Sequence, residues 1–230
     1  YEQSQEGYLG MGQTARTMSG SETNKLIDEE IKRMATAEPK EPMEPRGFEG
    51  STNTAYGKGA MALITSGHRN SAFGRAALYY NTTGYKNTAV GYTALLYNTT
   101  GDRNTGVGYQ ALYANTTGAD NNAFGYLALR SNTTGNYNTA FGTRALYSNT
   151  EGWNNVAIGL QALYNHNGSD AVAIGQSAAY NTVNESVIAI GREALYSNTT
   201  GSQNQAYGWK TLYSNTTGTG NIGLGDEALN

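Results

Sequence analysis

From Asn53 onward the chain sets a small residue, a large apolar residue and a glycine in succession, then does so again every 17 residues. The glycines are Gly57, Gly74, Gly91, Gly108, Gly125, Gly142, Gly159, Gly175, Gly191, Gly208 and Gly225, and only the intervals 159–175 and 175–191 shorten to 16. The full phrase is G-x-x-A-L-Y-x-N-T-T-G-x-x-N-T-A-V. Two positions before each glycine the residue is small, as at Ala55, Ala72, Ala89, Gly106 and Ala123. One position before, it is large and apolar, as at Tyr56, Phe73, Val90, Phe141, Ile158 and Leu224. Four positions after it, leucine recurs, as at Leu78, Leu95, Leu112, Leu129, Leu146, Leu163, Leu195 and Leu212. One such unit carries too few apolar side chains for a core, and stacking merges them into a continuous one. The pattern predicts an all-β parallel β-solenoid of eleven ~17-residue coils over residues 51–230.

Helix is excluded in this region, because glycine costs about 1 kcal/mol there and Asn and Thr favour turns. Each coil is expected to hold two strands of four or five residues, with N-T-T-G as a turn whose glycine takes positive φ. At about 4.8 Å per coil the stack is a rod roughly 50 Å long with Asn and Thr in ladders. Strand alternation sends neighbours to opposite faces. On that rule Val90 and its equivalents are expected inside, with Ala89 and Gly91 outside against a neighbouring chain. Leucine faces inward, so the tyrosine after it is expected outward.

Residues 1–50 lack the repeat. The stretch from Ser19 to Ala35 reads as a helix with an apolar stripe of Leu26, Ile27, Ile31 and Met34, and Pro39, Pro42 and Pro45 mark an extended linker after it. This segment is expected to be a cap on the first coil or an assembly arm. Beginning at Tyr1 and ending in mid-phrase at Asn230, the sequence reads as a processed or partial chain. A net charge of −3 gives no basic footprint for nucleic acid, and no apolar run is long enough for membrane insertion. The absence of Cys removes disulfides and thiolate metal sites.

Catalytic chemistry is thinly supplied. His68 and His166 lie about six coils apart and are expected to be solvated turn residues. Glu185 and Glu193 are the one carboxylate pair that adjacent coils could bring together. No metal or cofactor site is expected. The sequon asparagines Asn81, Asn98, Asn115, Asn132, Asn198 and Asn215 would crowd glycans about 5 Å apart, so they read as turn chemistry. The aromatic columns are the binding candidates: Tyr79, Tyr113, Tyr147, Tyr164, Tyr180, Tyr196 and Tyr213 after the leucine position, and Tyr92, Tyr109, Tyr126 and Trp209 after the glycine. They suit a seam between chains or stacking on sugar rings.

The stretches "DAVAIGQSA" (170–178) and "ESVIAIGREA" (185–194) resemble the head repeats of trimeric autotransporter adhesins, and the N-T-T-G-x-x-N-T-A phrase resembles bacteriophage tail-fibre repeats. That resemblance implies a left-handed roll, three chains side by side, and a fibre on a virion tail or bacterial surface that binds a host. The 17-residue coil is longer than the adhesin unit. Residues 6–34, with "EGYLG" and "KLIDEEIKRM", resemble part of the peptidase domain of AAA+ zinc metalloproteases, but H-E-x-x-H is absent and no activity follows. The expected function is a non-enzymatic fibre segment for attachment, self-associating as a homotrimer, with a cell-surface glycan as candidate partner. One alternative is an extracellular filament joined through residues 1–50, and another is an ice-binding solenoid using the paired threonines.

Overall fold

The computed structural model describes residues 52–183 and 186–230. The expected N-terminal helix with its stripe, the linker and Glu185 lie outside the described residues. Eleven three-residue strands, from β1 (Thr54–Tyr56) to β11 (Ile222–Leu224), form one parallel sheet in sequence order. Register is strict: Thr88, Ala89 and Val90 of β3 (Thr88–Val90) face Thr105, Gly106 and Val107 of β4 (Thr105–Val107). The described chain is an all-β parallel solenoid with no helix.

Each coil has one strand, not two. The remaining sides are turned backbone, because non-glycine residues take positive φ at fixed corners: Gln110 at 53°, Leu112 at 51° and Asp120 at 57° in one coil. Each left-handed residue costs roughly 1–2 kcal/mol. Bonds between coils offset that cost: the Leu95 amide donates to the Ala111 carbonyl at 3.0 Å and the Thr99 amide to the Thr116 carbonyl at 2.9 Å. The corner also drives leucine inward, where Leu95, Leu112, Leu129, Leu146 and Leu163 are fully buried. Such burial is worth about 2 kcal/mol each.

The strand faces are the reverse of the expectation. Ala72, Ala89, Ala123, Ala140 and Ala157 point inward and are fully buried. The large residues point outward, with Phe141 58%, Ile158 38% and Leu224 80% exposed. A short coil with so many corners is narrow. Leucine, asparagine and the corner backbone leave the strand only a methyl group's width inside. Where Gly106 stands, a Cβ would already approach the Ala111 carbonyl oxygen to 3.2 Å and the Leu95 Cγ to 3.4 Å.

The N-T-T-G glycine is also corrected, since positive φ belongs to the glycine after the strand, as at Gly108 (135°). At Gly84 the constraint is space: a Cβ would strike the Asn81 side-chain oxygen and, at 2.5 Å, the Gly101 carbonyl oxygen.

Two buried asparagine ladders stitch the stack. In one, Asn87 Oδ1 accepts from the Asn104 amide at 2.9 Å, while Asn87 Nδ2 donates to the Gly101 carbonyl at 2.8 Å. In the other, Asn115 Nδ2 donates to Asn98 Oδ1 at 2.7 Å and to the Gly118 carbonyl at 2.9 Å. The second ladder contains the sequon asparagines. Asn81, Asn98, Asn115, Asn132 and Asn198 are fully buried, so a glycan has no room at these five positions.

Both ladders break at the two 16-residue coils. Ala171 and Val187 replace one asparagine column, His166 and Thr182 the other. The break leaves Asn149 Oδ1 buried without a partner.

Candidate functional site

The repeat turns single residues into ranks, so a functional surface here is a column. After the leucine position, Tyr147, Tyr164, Tyr180, Tyr196 and Tyr213 stack with centroids 5.0–5.3 Å apart and planes within 13°. Arg130 occupies this position one coil earlier, its guanidinium 4.9 Å from the Tyr113 ring and 6.0 Å from that of Tyr147. A cation on two aromatic faces continues the ladder where a ring is missing. The rings are half-buried against one another, and Tyr113 is 5% exposed. The structure therefore presents a striped aromatic wall, rather than separate protruding side chains. At the upstream end Tyr79 packs edge-on against Tyr80, and Tyr80 stacks on Tyr97 at 5.1 Å. Burial raises the Tyr180 phenol above its ordinary value, helped by Tyr164 and Tyr196 and opposed by Arg144.

A second rank follows the strand glycines. Tyr92, Tyr109 and Tyr126 stack at 5.3 Å, and Trp209 belongs to the same column further along. Tyr109, Tyr126 and Trp209 are 40–47% exposed. This rank borders the outward strand face. On that face most coils pair a polar residue with an apolar one, as in Thr139 and Phe141. In β7 (Val156–Ile158), β8 (Val172–Ile174) and β9 (Ile188–Ile190) both outward residues are aliphatic. The sequence reading missed this face because it assigned its large residues to the interior.

The expected solvated histidines divide. His68 is exposed and stacks on Tyr85 at 5.4 Å. His166 is fully buried, which corrects the expectation, because it occupies an asparagine position in the interior ladder. Its Nε2 lies 3.1 Å from Asn155 Oδ1, which also accepts from the Ala171 amide at 3.0 Å. An oxygen in that role requires a donor, so Nε2 carries the proton. Nδ1 is left unpartnered. Burial pushes the imidazole down to about 4, against a smaller opposite pull from the Thr182 and Gly168 backbone.

Among the described residues no group of three His, Asp or Glu side chains is arranged to hold a metal ion. The Glu193 carboxylate lies 3.2 Å from Arg192 and 3.8 Å from Lys210. A shallow cavity of about 240 Å³ beside the aliphatic strands is lined by Asp170, Ser186, Ile188, Gln203 and Gln205. The Thr82 hydroxyl donates to the Thr99 carbonyl at 3.0 Å, and Thr99 repeats this to Thr116 at 3.1 Å. In the upstream pairs only the second threonine, such as Thr83 or Thr117, is exposed, whereas Thr199 with Thr200 and Thr216 with Thr217 are exposed at both positions. Among the described residues no helix is long and apolar enough to cross a membrane. Comparison with protein-family models, curated proteins and solved structures finds no match to the chain.

Proposed function

We propose that this chain is a non-enzymatic segment of an extracellular attachment fibre, left-handed and homotrimeric, of the kind carried on phage tails or bacterial surfaces. The observation that supports it most is the outward strand face. Large apolar side chains stand there in an unbroken rank, with Tyr56 55%, Phe73 43% and Ile190 37% exposed. A contiguous apolar stripe of this length on a soluble surface marks an interaction site. A neighbour built with the same coil rise matches it rung for rung. The tyrosine wall adds a half-buried amphipathic surface, ring edges beside phenol groups, of the residue type enriched where one side of a contact is apolar and the other wet.

Light scattering on the full chain and on residues 51–230 tests the reading. Three copies are expected in both. A monomer in both overturns it, and polymers that vanish without residues 1–50 favour the filament. In the trimer, Tyr147→Ala and Tyr164→Ala separate the roles of the wall: lost cell binding at unchanged mass assigns it to the receptor, and lost mass assigns it to the seam.

A further inference from the structure

A repetitive face has a register problem. Two copies that meet along identical rungs can slide by one coil, about 4.8 Å, and find nearly the same contacts again. This chain departs from its own repeat over three consecutive coils, and again at its last strand, β11 (Ile222–Leu224), whose outward pair is also aliphatic. The outward residues of β7, β8 and β9 are Val156 with Ile158, Val172 with Ile174, and Ile188 with Ile190. Upstream, the first outward position is polar at Thr88, Thr105, Asn122 and Thr139, and downstream it is polar at Gln205. The same block contains the two shortened coils and the interrupted ladders, with Asn149 Oδ1 and His166 Nδ1 buried and unpartnered. The asparagine ladders are thus interrupted in the same run of coils whose outward pairs are wholly aliphatic. That combination is unfavourable for an isolated coil and favourable for one that must be distinguishable from outside.

We propose that β7–β9 is a register pin: an aliphatic block that seats on the same block of a second copy of this chain, holding the copies parallel and level. The inference rests on the self-association proposed above. Area supports that occupant. Eleven strands at about 4.8 Å run roughly 50 Å, and the strand with the neighbouring Tyr109 and Trp209 column spans roughly 15 Å, about 750 Å² per copy. Each partner in a stable interface contributes about 800 Å², so the whole length is needed. Full overlap has only two arrangements. Reversed end for end, β7–β9 of one copy would lie against Asn122, Thr105 and Thr88 of the other. Parallel and level, aliphatic meets aliphatic. A one-coil slip sets Val156 or Ile188 against a polar rung and leaves a coil uncovered at each end.

The chain has no cysteine, so one spin label placed on the full-length protein at Thr117→Cys, an exposed turn residue away from the strand face, reports distances between copies cleanly. One narrow distance distribution is expected. Ser71→Val, Thr88→Val, Thr105→Val, Asn122→Val, Thr139→Val and Gln205→Val together make the first outward position apolar from Ser71 of the second strand to Ile222 of the last, erasing the contrast without removing apolar area. That variant is expected to keep its mass by light scattering and to split into populations offset along the axis by multiples of about 4.8 Å. A single narrow distance in it overturns the pin, as does a broad distribution in the unaltered face. Val156→Thr with Val172→Thr and Ile188→Thr is expected to lose the narrow distance, by slippage or by dissociation, and retention of that distance also overturns the pin. A monomeric unaltered chain fails the self-association reading itself, a result that mass alone reveals.

Discussion

Replacing Asn115 by alanine removes one rung of the inner ladder. Asn115 Nδ2 donates to Asn98 Oδ1 at 2.7 Å and to the Gly118 carbonyl at 2.9 Å, and its Oδ1 accepts from Asn132 Nδ2 at 2.7 Å. The three partners do not suffer equally. The Gly118 carbonyl keeps a donor in Asn104 Nδ2 at 2.7 Å, and Asn132 keeps the Gly135 carbonyl at 3.0 Å. Asn98 Oδ1 keeps only a long contact of 3.5 Å to Asn104. Two replaceable hydrogen bonds at about 0.5–1 kcal/mol each, plus one buried acceptor left bare at about 1–2 kcal/mol, give a loss of about 3 kcal/mol. Urea unfolding followed by circular dichroism measures the total, and amide hydrogen exchange should localise it to the coils around Leu112 and Leu129. Thr117→Ala, two residues away and exposed, is expected to stay within about 0.5 kcal/mol of the parent. A loss for Asn115→Ala no greater than that of Thr117→Ala would refute the claim that this ladder holds the stack together.

Two further perturbations probe the interior. The His166 imidazole is neutral when folded and held near 4, whereas an unfolded histidine titrates near 6.5. Between those values the unfolded chain binds the extra proton, so stability falls as pH drops from 6.5 towards 4, by up to about 3 kcal/mol. His166→Asn is expected to flatten this slope in urea midpoints measured from pH 7 to pH 4, and an unchanged slope would clear His166 of the effect. Gly108→Ala forces a side chain onto a φ of 135° and sets its Cβ 2.7 Å from the Gly125 carbonyl carbon. A cost of about 3 kcal/mol or more is expected in the same unfolding assay, and a loss below about 1 kcal/mol would show that the corner has slack.

The period, the coil number and the β character were legible because they follow from spacing alone. The direction of each strand face was not. Alternation says that Ala89 and Val90 oppose each other, and it is silent on which is inside. The internal variability of the columns held the answer. The inward column is Ala or Gly in every coil, whereas the outward one ranges over Val, Ile, Leu, Phe and Tyr. A closed interior tolerates almost no change in volume, and an open face tolerates much. The buried His166 was hidden for a related reason. A histidine in a turn reads as solvated unless its alignment with Asn149 and Asn132 is used, and the deletion in its coil obscures that alignment. The aromatic ranks were visible as columns, but their stacking into a wall depends on the coil rise.

The inward alanines carry a consequence for how such a chain changes over generations. Its scaffold is written mostly in alanine, leucine, asparagine and glycine, and the large residues of the strands all stand on the outward face. In most domains an altered aromatic residue disturbs the core and the surface together. Here the two vocabularies are separate, so the displayed face can drift from Val to Phe to Tyr, as it already does from coil to coil, while the scaffold stays the same. Such a molecule can change what it touches without relearning how to fold.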